Sequence, residues 1–261
     1  MIYDNLKQEE YFNVEALSYS GLKLILKSPL HFKNSPYIES AAMNLGSAVH
    51  CALLEPERFK EEYILVEGDG RTKAVKELLA QIENDGKKAI KATDYNTIIN
   101  IKQAISENKT ASELLNTPGR SEVAIIIDEN DIKLKGKIDR LTENNIIIDI
   151  KTTTDASPTS FLKSIYKYKY NLQALFYQRL IKSETGKNTK FYFIAVETVQ
   201  PYGVGVYECS LGLLAEAEID FNKGIDIYKK CIKTNTWNGY PDEIVTLRSW
   251  NKQTGENECQ N

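Results

Sequence analysis

Histidine and cysteine, the residues that dominate zinc and iron–sulfur sites, are scarce in this chain. Its 261 residues include two histidines and four cysteines. The cysteines stand alone at positions 51, 209, 231 and 259 and form no CxxC pair. An iron–sulfur cluster held by one early and three closely spaced late cysteines is therefore excluded, because the late three spread from position 209 to position 259. We expect ordinary reduced thiols.

Long apolar runs are also missing from the sequence. The chain opens on Met1-Ile2-Tyr3-Asp4-Asn5, without the basic and apolar stretch of a secretory signal. No apolar run reaches the length that crosses a bilayer. Hydrophobic residues at 42% and charged residues at 26% are ordinary for a globular protein. We therefore expect a cytoplasmic protein with no membrane partner.

An excess of positive charge, the usual mark of a nucleic-acid binder, is absent as well, since the net charge is −3. Acids that bind metal ions count as negative in this sum, but the cations they hold neutralise them. Basic residues also cluster locally, at Lys133, Lys135 and Lys137 and at Lys163, Lys167 and Lys169. Such clusters are most often solvated faces, so charge alone decides neither for nor against DNA binding.

Apolar residues recur at helical spacing in the first part of the chain and alternate in the second. The spacing predicts helices capped by Ser18 or Ser20 and stopped at Pro29, from near Leu45 or Gly46 to Pro56, over 73–82, and over 94–106 with Asp94 as cap. Later segments predict strands over 122–128, 131–140, 145–151, 190–199 and 204–209, and helices over 158–167, 170–182 and about 213–234.

This order of elements predicts the α/β (α+β) class, with a central mixed sheet that contains an antiparallel meander and is flanked by helices. We expect a single domain over residues 1–250, with a helical part over about 1–118 and a catalytic core over about 119–250. The polar residues 251–261 are expected to form a disordered tail.

Two carboxylates and a lysine fall near the ends of adjacent predicted strands. Gly136-Lys137-Ile138-Asp139-Arg140 is followed, across a polar turn, by Asp149-Ile150-Lys151. Carboxylate oxygens bind hard divalent cations, and an ammonium group stabilises charge on a phosphate. The combination is what metal-assisted cleavage of a phosphodiester needs.

Strand alternation predicts which of these side chains can meet. Ile132, Leu134 and Ile138 would share one face, and Lys133, Lys135, Lys137 and Asp139 the other, while Asp149 and Lys151 share a face with Ile147. With the apolar sets facing the core, the charged sets would occupy one opposite face. A two-residue turn at Glu129-Asn130 would place Glu122 opposite Lys137, and an odd loop over 143–145 would place Asp139 opposite Asp149.

A solvated polar face of a half-exposed sheet would give the same alternation. The isoleucines at 146, 147, 148 and 150 surround Asp149, however, so this strand resembles a buried one. An acid and a lysine in a buried strand are costly unless they are paired or bind a ligand. We therefore favour the functional interpretation.

In their order along the chain, these motifs resemble the PD-(D/E)XK nuclease superfamily, and more closely the RecE-like and lambda-type exonucleases of phage recombination. The resemblance covers most of the chain and implies a restriction-endonuclease-like core. It rests on Leu17-Ser18-Tyr19-Ser20 with Ser28-Pro29, Gly46-Ser47-Ala48-Val49-His50 with Leu54-Glu55-Pro56-Glu57, Glu122, Gly136–Arg140, Asp149–Thr153, and the QxxxY pair Gln173 and Tyr177.

The resemblance implies a divalent metal site. Asp139 and Asp149 would be direct ligands, the Ile150 carbonyl would be available, and His50 would lie beside the metal. Mg²⁺ would be the cofactor with Mn²⁺ as a substitute, which suits an imidazole at least as well. A lone histidine on a helix is more often a packed residue, and only the surrounding motif favours His50 as a ligand.

The remaining site residues also follow from the resemblance. Lys151 would orient the attacking water and stabilise the phosphate, and Glu122 would complete the acids. Gln173 and Tyr177 share a helix face, so either they pack on the sheet, or Gln173 contacts the catalytic acids or lysine and Tyr177 the DNA backbone. Lys137 and Arg140 are further candidates for DNA contact.

The activity that the resemblance implies is a Mg²⁺-dependent exodeoxyribonuclease that acts 5′ to 3′ on ends of linear duplex DNA. The 3′ single-stranded tails would serve recombination and repair, through a RecT-like single-strand annealing protein. The implied assembly is a ring of three or four copies, and the implied source is a bacterium or its phage. Two alternatives stay open: an endonuclease or helicase-associated nuclease of the same fold, and a catalytically silent DNA-binding or scaffold module.

Overall fold

The structure, a computed structural model, describes residues 1–4, 6–35, 41–69, 71–129 and 131–246. Its helices are α1 Gln8–Asn13, α2 Tyr19–Lys27, α3 Pro29–Asn34, α4 Ala41–Leu54, α5 Pro56–Glu62, α6 Lys73–Asn84, α7 Ala92–Glu107, α8 Lys109–Asn116, α9 Pro158–Tyr168, α10 Tyr170–Thr185 and α11 Leu211–Thr234. Its strands are β1 Ile2–Tyr3, β2 Leu17–Ser18, β3 Tyr63–Val66, β4 Lys88–Lys91, β5 Gly119–Glu129, β6 Ile132–Thr142, β7 Ile146–Thr153, β8 Lys190–Glu197 and β9 Val204–Tyr207. The predicted tail over 251–261 lies outside the described residues.

A seven-stranded mixed sheet forms the centre of the fold, which confirms the predicted class. Its strand order is β1-β5-β6-β7-β8-β9, with β2 paired to β6. The meander β5-β6-β7 is antiparallel, β7 and β8 are parallel, and β8 and β9 are antiparallel. Strands β3 and β4 form a separate parallel pair. Within the described residues, no helix is both long and apolar enough to cross a membrane.

Helices cover both faces of the sheet, so the prediction of one polar face for all the charged side chains is wrong. On one face, which we call the α10 face, Ile147 packs with Phe176 of α10 and Phe221 of α11. On the other, the α4 face, Ile148 packs with Val49 of α4 and with α7. Asp149 belongs to this doubly covered strand and is only 1% exposed.

The register between β5 and β6 differs by two residues from the predicted one. Glu129, expected in the turn, pairs with Ile132, and Ala124 rather than Glu122 pairs with Lys137. The ladder skips Glu122, whose backbone is left-handed with φ of 53°. The predicted turn includes Asn130, which lies outside the described residues.

The register between β6 and β7 matches the predicted loop, but the ladder is short. It contains Arg140 opposite Ile148 and Leu141 opposite Ile147, and it ends before Asp139 and Asp149. Ile138 and Leu141, three positions apart, pack in the same apolar cluster, which strict alternation would not allow. Alternation is therefore interrupted at Asp139.

The N-terminal part contributes more strand than its sequence predicts. Strand β1 pairs with β5 and β2 pairs with β6, and each is two residues long, too short to give an alternating pattern. Lys135, expected in a solvated basic cluster, is 8% exposed. Its ammonium donates to the carbonyls of Tyr11, Phe12 and Val14, which attaches the end of α1 to the sheet.

Helix boundaries follow the predicted capping logic with three corrections. Ser18 caps α2 as expected, whereas Pro29 begins α3 behind its own cap, Ser28. Helix α4 begins at Ala41 rather than near 45, because residues 41–44 contain no helix breaker. Helix α7 is preceded by Lys91, and Asp94 lies in its first turn, where a carboxylate is favoured by the helix dipole.

Gly136 lies where β6 and α10 approach each other closely. A Cβ at Gly136 would lie 2.5 Å from Leu180 Cδ1 and 3.0 Å from the Tyr177 ring. We expect Gly136→Ala to lower the free energy of unfolding by roughly 1–3 kcal/mol through overpacking, measured by urea unfolding. Gly212→Ala is the control, because the nearest atom to its Cβ is 3.7 Å away. Equal stability of Gly136→Ala and the parent protein would contradict this packing.

Candidate active site

The candidate site lies where strands β6 and β7 stop pairing. Beyond Arg140 and Ile148 the ladder of β6 and β7 ends, and the Asp139 side chain enters the gap. The backbone N–H of Ile150 donates to Asp139 Oδ2 over 2.9 Å. This bond replaces the missing ladder contact and fixes the carboxylate, while Asp149 and Lys151 flank Ile150 on β7.

His50, Glu122 and Asp139 form a cluster of possible metal ligands. One ligand atom from each lies within 4.8 Å of the others. Helix α4 brings His50 to the sheet, where its Nδ1 lies 3.2 Å from Asp139 Oδ2. One imidazole and two carboxylates are a donor set that fits a divalent cation, with Mn²⁺ at least as suitable as Mg²⁺. Asp149 is not a member of this set and lies beside it.

Glu122 reaches the cluster through an unusual backbone conformation. A left-handed φ of 53° is costly for a residue other than glycine, because its Cβ crowds the backbone there. Its carboxylate is also held, since Lys137 Nζ lies 2.7 Å from Glu122 Oε2. Strain at a residue whose side chain points to a cluster of acids is typical of a functional site.

Asp149, Lys151 and Gln173 form the second part of the site. Gln173 Nε2, from α10, donates to Asp149 Oδ1 over 2.8 Å. Asp149 Oδ2 lies 2.5 Å from Lys151 Nζ, but it receives no hydrogen bond with acceptable angles from the described residues. A buried carboxylate oxygen with spare acceptor capacity is what an added cation or water needs. The Lys151 ammonium also lies 4.7 Å from the centre of the Tyr170 ring.

Charges within the site balance one another. Three acids each face one base, and the pairs are His50 with Asp139, Lys137 with Glu122, and Lys151 with Asp149. The site is therefore neutral when His50 is protonated. A divalent cation must compete with these resident cations for the same oxygens.

The pKa values follow from burial and from these pairs. Burial, with Asp139 nearby, raises the pKa of Asp149 to about 6, although Lys151 opposes the shift. Burial alone would lower the pKa of His50, but the Asp139 carboxylate outweighs it and raises the pKa to about 9. Burial would raise the pKa of Asp139, and His50 and Lys151 outweigh that and lower it. His50 therefore carries its proton at neutral pH in the metal-free protein.

Three of the predicted DNA-contact residues have other partners in the structure. Lys137 is paired with Glu122. The Arg140 guanidinium donates to Ser121 Oγ over 3.2 Å and to the Thr117 carbonyl over 2.6 Å, which attaches it to the start of β5. Tyr177 is 8% exposed and packs in the core of the α10 face, so its position favours packing over contact with DNA.

The other predicted site residues come together, and their roles stay predictions. His50, Glu122 and Asp139 meet on one side of the gap, and Gln173 contacts Asp149. Ile150 contributes its N–H to Asp139. Sequence reasoning missed Tyr19 and Lys23 of α2, which lie close enough to influence Asp149 and Lys151 electrostatically. Their signal in the sequence was the Leu17–Ser20 motif, which includes Tyr19.

Comparisons with known proteins agree with this fold. The sequence model of a family described as a PDDEXK-like domain of unknown function (DUF3799) matches residues 18–249. The crystal structure of a candidate exonuclease from Eubacterium rectale superposes with a TM-score of 0.68 at 14% identity, over 94% of this chain and 96% of that chain. This likeness shows a shared fold. No curated protein matches the chain significantly.

A weaker likeness extends to two further solved structures. A phage-related exonuclease from Haemophilus somnus 129PT matches with a TM-score of 0.35 at 12% identity, over 85% of this chain and 96% of that chain. An alkaline exonuclease from Laribacter hongkongensis matches with a TM-score of 0.30 at 13% identity, over 72% of this chain and 90% of that chain. Superpositions this loose carry no argument about function.

Metal binding should release a proton from His50. At pH 8 the imidazole with a pKa of about 9 is mostly protonated, whereas the Asp149 carboxyl with a pKa of about 6 is ionised. We expect about one proton released per Mn²⁺ ion bound, because a ligating imidazole must be neutral. Calorimetry in two buffers of different ionisation enthalpy measures this number.

The control for proton release is His50→Gln, which should bind Mn²⁺ more weakly and release almost no proton. Stability gives a second measure of the same pKa. Histidine titrates near 6.5 in an unfolded chain and at about 9 here, so its contribution is complete below pH 6.5 and is lost as pH rises through 9. The metal-free protein should lose up to about 3 kcal/mol over that interval. Proton release equal in the parent and His50→Gln would contradict the assignment.

Removing the ammonium of Lys137 should strengthen metal binding. Lys137→Met leaves Glu122 without its 2.7 Å partner, so a divalent cation no longer competes with a resident charge. We expect Mn²⁺ affinity to rise about 3- to 10-fold, the range set by a partly exposed ion pair. Lys133→Met is the control, since Lys133 is exposed on the same strand. Unchanged or weaker Mn²⁺ binding in Lys137→Met would show that Lys137 does not compete.

Proposed function

The chain belongs to the PDDEXK-like family DUF3799, within the PD-(D/E)XK nuclease superfamily, and on this premise we propose that it is a metal-dependent deoxyribonuclease acting on ends of linear double-stranded DNA. The observation that carries the proposal is the Asp149–Lys151 ion pair beside the cluster of His50, Glu122 and Asp139. Acids, lysine and imidazole converge where two central strands part. Hydrolysis of a phosphodiester is the chemistry that this set supports best.

His50, Glu122 and Asp139 would hold the cation, with the free acceptor capacity of Asp149 beside them. When bound, Mg²⁺ or Mn²⁺ would supply Lewis-acid stabilisation of the phosphate and a lower pKa for attacking water. These ligands fit such an ion, because two are hard carboxylates and the third suits manganese.

Lys151 acts on the phosphate in this proposal. Its ammonium is fixed by Asp149 at 2.5 Å and by the Tyr170 ring at 4.7 Å, so little rotamer freedom remains to be lost in the reaction. Burial alone would lower the pKa of Lys151, but the carboxylates of Asp149 and Asp139 outweigh burial and raise this pKa above the ordinary value. Lys151 is therefore a fixed positive charge that stabilises the developing phosphate charge, rather than a base.

Gln173 orients this pair. Its amide donates to Asp149 Oδ1, which leaves Oδ2 directed at Lys151. The contact comes from α10, so the helix packed on the α10 face sets the rotamer of a catalytic acid. A lost hydrogen bond here would leave a buried carboxylate oxygen unsatisfied.

The finer parts of the proposal rest on the motif resemblance. They comprise Mg²⁺ as the physiological ion, 5′ to 3′ polarity, 3′ single-stranded products, a single-strand annealing partner, and a ring of three or four copies. They also include a role in recombination and repair, a location in the bacterial cytoplasm, and a phage or prophage origin. The alternative activities are endonuclease, helicase-associated nuclease and a silent DNA-binding or scaffold module. The complete Asp139, Asp149 and Lys151 set favours an active enzyme over the silent module.

Labelled DNA tests the proposed activity. Linear duplex carrying a label at either the 5′ or the 3′ end should be digested with Mg²⁺ or Mn²⁺ and protected by a chelator. Covalently closed circular duplex of the same sequence should resist. Early release of the 5′ label would support the proposed polarity. Cleavage of the circle would favour an endonuclease, and no cleavage in any metal would favour the silent module.

Variants at Asp149 and Lys151 test the site. We expect Asp149→Asn and Lys151→Met each to lower kcat by at least about 10²–10³-fold, because each removes charge aimed at the reacting phosphate. Both substitutions keep the side-chain size, and circular dichroism checks the fold. Lys190→Met is the matched control, since Lys190 is an exposed lysine at the start of β8. Undiminished kcat in both site variants would overturn the assignment.

A further inference from the structure

Lys23 of α2 is a partly buried lysine beside the site that has no acidic partner within the described ranges of the chain. Its ammonium lies 5.4 Å from the centre of the Tyr19 ring. The other lysines near the site differ from it, because Lys137 and Lys151 each contact a carboxylate. A partly desolvated ammonium without a counter-charge costs free energy in the unliganded protein. Such a group is suited to an anionic ligand.

The fold holds the start of α2 firmly at the sheet. Strand β2 pairs with β6 through Leu17 opposite Leu134, and Ser18 then caps α2 by accepting from the Gly21 N–H. Leu22, adjacent to Lys23, is fully buried in the core of the α10 face. Position 23 is therefore set by the sheet and by helix packing rather than by a surface loop.

Tyrosines connect Lys23 to Lys151 through one hydrogen bond, one ring contact and two cation–π contacts. The Tyr19 hydroxyl donates to the Tyr168 carbonyl over 2.5 Å. The Tyr168 and Tyr170 rings lie 5.4 Å apart, and Lys151 rests on the Tyr170 ring. Two ammonium groups thus rest on neighbouring tyrosines at one side of the site.

The two lysines are close enough to repel each other. Burial lowers the pKa of Lys23, and the charge of Lys151 lowers it further. Asp149 faces Lys151, whereas no acid in the described part of the chain faces Lys23. The α2 side of the site therefore carries excess positive charge, although the net charge of the chain is −3.

We propose that Lys23 binds a backbone phosphate of the DNA strand, adjacent to the phosphate held at Lys151. The inference rests on the proposed function and adds a positioning residue from α2. A lysine suits this role because its ammonium is a point charge that donates hydrogen bonds to phosphate oxygens in several directions. Binding supplies the counter-charge that Lys23 is missing and relieves its repulsion with Lys151. The strand would then lie across Tyr19 and Tyr170 with two successive phosphates neutralised.

A purely structural role for Lys23 is the competing explanation. The ammonium could serve only to cover the Tyr19 ring, and its loss would then lower stability without a specific effect on DNA. The two explanations differ in the salt dependence of DNA binding, because each phosphate contact by a lysine contributes about one unit to the slope of log affinity against log salt.

The experiment compares variants in the inactive Asp149→Asn background, so that duplex DNA stays intact. Lys23→Met and Lys23→Gln should each weaken binding of a linear duplex about 5- to 20-fold at low salt and reduce the salt slope by about one. Lys23→Arg should retain most of the affinity and the slope. Lys190→Met, distant from the site, is the control for nonspecific charge loss. Urea unfolding of each variant separates binding from stability.

Each outcome decides between the explanations. A parent salt slope retained in folded Lys23→Met and Lys23→Gln would overturn the role of Lys23 and leave the proposed nuclease intact. Equal losses in Lys23→Met and Lys190→Met would also overturn it. A parent that binds no duplex would overturn both proposals. In the active enzyme, a raised KM with little change in kcat for Lys23→Gln would further support positioning.

Discussion

The hydrogen bond from the Ile150 amide to Asp139 is the interaction on which the site depends. Strands β6 and β7 stop pairing just before it, and a side-chain carboxylate takes over the role of a backbone acceptor. An unpaired amide buried in a sheet is costly, so the backbone itself fixes Asp139. Ile150 itself lies between Asp149 and Lys151 in the chain. Sheet geometry therefore sets the relative positions of the acids and the lysine.

Helices on both faces of the sheet supply further side chains of the site. Helix α4 adds His50 from one face, and α10 adds Gln173 from the other. The cost of burying so many charges is reduced because each acid has a resident base. That pairing keeps the metal-free protein folded and makes cation binding a competition. The same ion pairs therefore raise the stability of the metal-free protein and lower its affinity for the metal.

Sequence reasoning was reliable where a single physical rule dominates and failed where two rules compete. Alternation and turn length predicted the meander and the register of β6 with β7, and the motif order predicted which acids, histidine and glutamine meet. The predicted register of β5 against β6 was wrong by two residues, because Glu129 pairs with Ile132 instead of belonging to the turn. The backbone of Glu122 could not be predicted, since a left-handed conformation at a glutamate has no local sequence signal. The burial of β7 was visible in its isoleucines, but alternation placed the charged side chains on one face, whereas helices cover both faces of the sheet. Lys23 was missed because its proximity to Lys151 depends on residues that are distant in sequence, among them Tyr168, which accepts from Tyr19.

The most direct test of this account is the position of a bound metal. Crystals grown with Mn²⁺ and measured at its absorption edge give an anomalous peak that identifies the ion and its ligands. The account predicts a peak at His50, Glu122 and Asp139, with Lys137 displaced from Glu122. A manganese ion bound elsewhere, or a peak absent with all three side chains still paired to their present partners at saturating Mn²⁺, would contradict it.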